Sequence, residues 1–172
     1  MKLIAAVLCL ALPSFAAEKA KNWTPPAAKI HAQVMAEEIM AAHPELLSIT
    51  FHGVPPGLDN VYTMFAGSYL DRIGNPDDPD DIDVITKGIT IVDPRWRRTK
   101  DTVKKFVMML PLRDAQGENV GLLVIAYKLP SPVAKSEVEF FAVSSALRDQ
   151  IAKRIASYAD LFKPAAQFKA EK

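Results

Sequence analysis

Three groups of residues in this chain carry side chains able to do chemistry. The first is the run from Asp93 to Lys105, where Arg95, Arg97, Arg98, Lys100, Lys104 and Lys105 surround Trp96. A guanidinium grips a carboxylate through paired hydrogen bonds, and an indole face shelters an apolar group beside it. That combination suits a small anionic ligand; without one, the same charges are a solvated loop balancing the acidic stretch before it. The second group is that stretch, with Asp77, Asp78, Asp80, Asp81 and Asp83. Hard oxygen ligands of this kind serve calcium, but Pro79 interrupts the alternation of an EF-hand loop, and no Gly or bidentate Glu falls where that loop needs it. The aspartates are therefore expected to cap a helix and face water, with no metal bound. The third group is His31, His43 and His52. His31 and Met35 lie one helical turn apart, a spacing that serves copper or haem iron, yet the apolar periodicity assigns Met35 to the core. His52 precedes Gly53 at the end of the first strand, beside the expected pocket region, and has no partner in sequence.

Nucleophilic catalysis has little to draw on. There is no G-x-S-x-G elbow, no H-E-x-x-H and no Gly-rich phosphate loop opening a helix. Ser144-Ser145 falls inside a helical pattern as a small-residue packing site. The expectation is a protein without catalytic residues or cofactor, and not an enzyme.

Composition narrows the class. The chain has 172 residues, 49% of them hydrophobic and 24% charged, with a formal charge of +1. These values describe one globular domain. A balance this even gives no basic footprint for nucleic acid. At the start, Met1 and Lys2 precede an apolar run from Leu3 to Leu12, and Pro13-Ser14-Phe15-Ala16 ends in small residues. That is the pattern of a secretory signal cleaved after Ala16, which makes the expected location periplasmic or secreted. The run is half the ~20 apolar residues a spanning helix needs, so no membrane insertion of the mature chain is expected. The chain's one cysteine, Cys9, leaves with the leader. Leu8, where a lipoprotein wants a small residue, argues against lipidation.

The elements that must position these groups follow from periodicity. Residues 17–24 form a charged, mobile start, and Thr24 can cap a helix opening on Pro25 and Pro26. Ile30, Val34, Met35, Ile39 and Ala42 give that helix one apolar stripe, and His43-Pro44 stops it. From Leu47 the period becomes two, with Ser48, Thr50 and His52 alternating against Leu47, Ile49 and Phe51. A second strand spans Asn60 to Gly67. The irregular stretch from Ser68 to Lys87 is long enough to be a functional lid, with Asp80 or Asp81 capping a short helix through Ile85. Three further strands cover Ile89–Val92, Lys105–Leu112 and Val120–Lys128. Arg113 to Asn119 supplies the hairpin turn between the last two, and Pro111 places its strand at an edge or bulge. Ser136 and Glu139 form a capping box, after which Phe140, Val143, Leu147, Ile151, Ile155, Tyr158 and Phe162 mark a long helix running to Pro164. The fold class is α+β, a domain over residues 25–163 followed by a tail at 164–172.

The segment from Gly88 to Tyr127, with Leu110-Pro111-Leu112, Asp114, Gly117 and Gly121 around its turn, resembles the closing half of the PAS-like extracellular sensor domains of the Cache family. The resemblance implies a five-stranded antiparallel sheet flanked by a long N-terminal and a long C-terminal helix, cupping a small ligand under its lid. It departs from that family in lacking flanking transmembrane helices and in meeting the arginine-aromatic motif of the amino-acid-binding branch only through Arg95-Trp96. On this basis the expected function is a soluble, non-catalytic, sensor-type module for a small anionic organic ligand. Tyr62, Arg72, Thr86, Arg95 and Trp96 are its expected lining. The competing expectation is an interaction module that docks on a membrane-bound signalling protein and holds no small molecule.

Overall fold

The alternation in Leu46–Gly53 sets the architecture. In a computed structural model that describes residues 20–94 and 102–168, this segment is strand β1. It turns Ile49 and Phe51 into the main core and Ser48, Thr50 and His52 to the opposite face of the sheet. β2 (Thr63–Gly67), β3 (Ile91–Asp93), β4 (Lys105–Arg113) and β5 (Asn119–Lys128) complete a five-stranded sheet in the order β2-β1-β5-β4-β3, every pairing antiparallel. The expected hairpin joins β4 to β5. Asp114 Oδ1 accepts from the Gln116 and Glu118 backbone N–H groups, and thereby closes the turn. Pro111 lies at the end of β4 expected to meet an edge or bulge. β3 pairs only with Val107 to Met109, so no β3 ladder reaches the proline, and a register shift follows at Leu112/Arg113.

Helices α1 (His31–Ala42) and α3 (Glu137–Ala152) cover one face. Met35, Ala36 and Ile39 of α1 and Phe140, Leu147 and Ile151 of α3 are buried with Phe51, Phe65, Phe106, Met108 and Leu110. The Ser136–Glu139 capping box forms as the spacing demands. Ser144 is buried against the Tyr127 hydroxyl, 2.9 Å away.

Neither terminal helix has the expected length. α1 starts at His31, not near Pro25, because residues 29–31 pair with the C-terminal segment. The His31 N–H donates to the Lys163 carbonyl and the Ala165 N–H to the Lys29 carbonyl, both at 2.9 Å. α3 stops at Ala152. The Ile155 carbonyl is taken at 2.8 Å by the Ala115 N–H of the hairpin, and a short 3-10 turn, Tyr158–Phe162, carries the remaining apolar residues into the core. Tertiary hydrogen bonds override the continuous helical periodicity. Among the described residues no helix is long and apolar enough to cross a membrane.

The His31 ring stacks on Phe168 with centroids 3.9 Å apart, and its buried Nδ1 has no hydrogen-bond partner among the described residues. Burial, then the nearby Arg154 charge, holds its pKa below the ordinary 6.5. The folded state therefore binds this proton less readily than the unfolded chain, so the group's contribution is whole above that ordinary value and is lost as pH falls through the lowered one. The melting temperature is expected to fall from pH 7 to pH 5, and His31→Phe, which keeps the stack, is expected to reduce that fall. Identical falls in both proteins would contradict the assignment.

Helix α2 (Pro79–Lys87) lies across the other face. Asp78 is its N-cap and forms a reciprocal capping box with Asp81, Pro79 occupies a first-turn position, and Gly88 ends it in the left-handed region at φ 65°. Val84 and Ile85 pack on Val107, Met109, Leu122 and Ala126 and make a second, smaller core.

Candidate functional site

Between α2, the segment before it and the polar face of β1 lies a cavity of about 380 Å³. That volume is in the range that holds a small molecule. Its floor is Ser48, Thr50 and His52 of β1, with Val107 and Met109 of β4 and Val124 and Ala126 of β5. Its wall is Asn75 to Asp78 with Asp80 and Asp81, and Tyr69, Arg72 and Lys105 also line it.

The wall is held by backbone pairing. The Gly74 N–H donates to the Met64 carbonyl at 2.8 Å, the Met64 N–H to the Asn75 carbonyl at 3.2 Å, and the Asp77 N–H to the Tyr62 carbonyl at 3.1 Å. Residues 74–77 thus run beside β2, whose Met64 is in register with His52 after a shift between Phe51 and His52. This places the Asp77 carboxylate over the imidazole. His52 Nδ1 and Asp77 Oδ1 are 2.7 Å apart, and His52 Nε2 lies 2.7 Å from Thr50 Oγ1. The side chains are 11% and 1% exposed for His52 and Asp77, so water competes little for these bonds.

An ionised carboxylate only accepts. Nδ1–H therefore donates to Asp77, and in the neutral ring Nε2 accepts from the Thr50 hydroxyl. The result is a Thr50–His52–Asp77 chain of hydrogen bonds in the order of a nucleophile, its base and the base's orienting acid. Asp77 Oδ2 is buried and without a hydrogen-bond partner among the described residues, as is Asn75 Oδ1 in the same wall. The Asp81 carboxyl lies within 4.8 Å of the His52 and Asp77 donors. Burial pushes its pKa above the ordinary carboxylate value, against the attraction of His52.

The sheet leaves no slack beneath His52. A Cβ on Gly121 would stand 2.5 Å from the His52 carbonyl oxygen. Gly121→Ala is expected to push β1 away from β5, costing about 1–3 kcal/mol of stability and breaking the relay geometry. Denaturant melts check the first effect, and an unchanged midpoint would show that the strands can part without cost.

Of the residues singled out in the sequence, Arg72 lines this cavity. Tyr62 and Thr86 are not among its lining: Tyr62 offers its carbonyl to Asp77 and to Asn22 Nδ2, and the Thr86 hydroxyl donates to the Ile82 carbonyl of its own helix. Arg95 and Trp96 lie outside the described residues, as does the expected leader at 1–16. The residues that do come together, Thr50, His52, Asp77 and Asp81, were not foreseen as a site. A signal for half of it was present, since Ser48, Thr50 and His52 keep one strand face polar while the other is wholly apolar. Asp77 is 25 positions away from His52, and only the pairing of residues 74–77 with β2 joins them. The described lining is also acidic, with Asp77, Asp78, Asp80 and Asp81 against Arg72 and Lys105. Of the cationic residues expected to favour an anionic ligand, Arg72 is in this lining, and Arg95, Arg97 and Arg98 lie outside the described residues.

No family model and no curated protein matches this chain. Its fold is similar to the solved structure of a type II free methionine-R-sulfoxide reductase from Thermoplasma acidophilum. The TM-score is 0.50 at 16% identity, covering 76% of this chain and 90% of that one. At that identity the likeness establishes the fold alone. Two expectations drawn from the sequence are corrected by it, the non-catalytic sensor and the absence of enzymatic activity, because the fold from which they were inferred is also that of an enzyme. That neighbour is a reductase, not a Cache domain.

Proposed function

We propose that this chain is a hydrolase of small esters or amides that works by acyl transfer through Thr50. The observation that carries the reading is the unbroken relay of two 2.7 Å contacts from Asp77 through His52 to Thr50 on a cavity floor. Thr50 Oγ1 attacks the substrate carbonyl carbon as its proton passes to His52 Nε2, and Asp77 stabilises the imidazolium. Lys105 and Arg72 supply cationic donors to the lining for the oxyanion that develops. The intermediate collapses by breaking the bond to the leaving group, which takes the proton from Nε2 and leaves an ester on Thr50. Water repeats the sequence and frees the acid.

Sulfoxide reduction is not carried over from the structural neighbour. Returning a sulfoxide to a thioether consumes two electrons and two protons. The lining contains no cysteine, and the chain's one cysteine, Cys9, lies outside the described residues. The described relay moves protons.

Hydrolysis of p-nitrophenyl acetate by the purified protein tests the reading. Turnover above the rate of a Thr50→Val variant supports it, and equal rates for the two proteins exclude Thr50 as nucleophile.

The turn residues Pro111, Asp114, Gly117 and Gly121 support a PAS/Cache-like origin for the scaffold, with catalysis replacing sensing. The Lys2, Leu3–Leu12 and Ala16 pattern supports export. N-terminal sequencing of periplasmic protein is expected to begin at Ala17; a Met1 terminus on that protein would contradict cleavage.

A further inference from the structure

We propose that His52, Asp77 and Asp81 form a binding site for one divalent transition-metal ion, and that its occupancy switches the Thr50 relay off. The three side chains come from a strand, the segment beside β2 and the first turn of α2, yet one donor atom from each lies within 4.8 Å of the others. One imidazole nitrogen with two carboxylates suits zinc or manganese better than calcium, which takes oxygen ligands only. Three protein ligands also leave coordination positions for water.

Two features point to an ion beyond the acidity of the cluster. The Asp77 side chain is 1% exposed, and its buried Oδ2 has no hydrogen-bond partner among the described residues. A buried carboxylate oxygen left this way is costly unless a cation or donor meets it. Each of the other two ligands already has an outer partner of the kind that orients a metal ligand. Thr50 Oγ1 stands 2.7 Å from His52 Nε2, and the Asp78 N–H donates to Asp81 Oδ2 at 3.0 Å, leaving the second Asp81 oxygen available.

The switch follows from one proton. In the relay form it sits on Nδ1 and is given to Asp77, and Nε2 accepts from Thr50. An ion at Nδ1 needs that nitrogen's lone pair, so the proton moves to Nε2 and is donated to the Thr50 oxygen instead. His52 then has no free position to take the Thr50 proton. The inference rests on the hydrolase reading for this consequence, but the site itself does not.

Calorimetric titration of the purified protein with Zn²⁺ and with Mn²⁺, against Mg²⁺ and Ca²⁺, tests the site without turnover. One ion per chain is expected, with tenfold or greater weakening in both His52→Ala and Asp81→Asn. Asp81→Asn keeps an oxygen for the Asp78 N–H, so circular dichroism should show the fold retained. No binding, or binding that both variants leave unchanged, overturns the site whatever the esterase assay gives. Where the protein hydrolyses p-nitrophenyl acetate, Zn²⁺ should slow it in step with occupancy; binding that leaves the rate unchanged overturns the switch.

Discussion

Replacing His52 by Ala is expected to lower kcat/KM for p-nitrophenyl acetate by ~10²- to 10⁴-fold, the range a positioned general base supplies. The imidazole links Asp77 to the Thr50 hydroxyl, with 2.7 Å contacts on either side. Without it the hydroxyl has no base and attacks as a weak nucleophile. Asp77→Asn should be nearly as damaging by a different route: an amide can donate to Nδ1, which favours the tautomer with its proton on Nε2, facing Thr50. KM should change little in either variant, because neither side chain is asked to bind the ground state. A rate unchanged in His52→Ala would remove the imidazole from the chemistry.

The second large effect is on stability. Phe140 is fully buried where α3 meets the sheet, stacked on Phe106 with centroids 4.2 Å apart and a 13° tilt, and 5.0 Å from the Tyr127 ring. Phe140→Ala opens a cavity bounded by three elements that cannot all close on it. The expected loss is about 3–5 kcal/mol, large against the 5–15 kcal/mol that holds a domain of this kind. Chemical denaturation measures it. A loss under ~1 kcal/mol would mean that α3 moves in to fill the space and is less firmly held than its capping box implies.

These two residues show how far the sequence could be read. Phe140 was legible as core, since it opens an apolar stripe directly after the S-x-x-E capping box, and local signals of that kind need only adjacent residues. The strands β4 and β5 were legible for the same reason, their turn being set by Asp114 and Gly117 within a few positions. Helix ends were not. Nothing near Pro25 reveals that Lys29 and His31 will be paired with Lys163 and Ala165, and nothing near Ile155 reveals that its carbonyl will be taken by Ala115.

The site was the least legible part. Thr50 stood out only as a polar position on an alternating strand, which is ordinarily the solvent face, and His52 only as an imidazole without a partner in sequence. Asp77 and Asp81 read as helix-capping residues, and Asp78 and Asp81 do cap α2. What turns capping residues into site residues is the placement of α2 over the polar face of β1, fixed by Val84 and Ile85 packing on β4 and β5. Burial then does what exposure would not: it isolates the Asp77–His52 pair from water and raises the Asp81 pKa.

The most direct test of the central claim is covalent capture of Thr50. The purified protein is treated with a fluorophosphonate, digested, and its peptides mapped by mass spectrometry. A phosphonyl adduct on Thr50, absent from His52→Ala and accompanied by loss of esterase activity, is the predicted result. Full esterase activity in protein that carries no adduct, or an adduct on Thr50 that forms equally in His52→Ala, would contradict it.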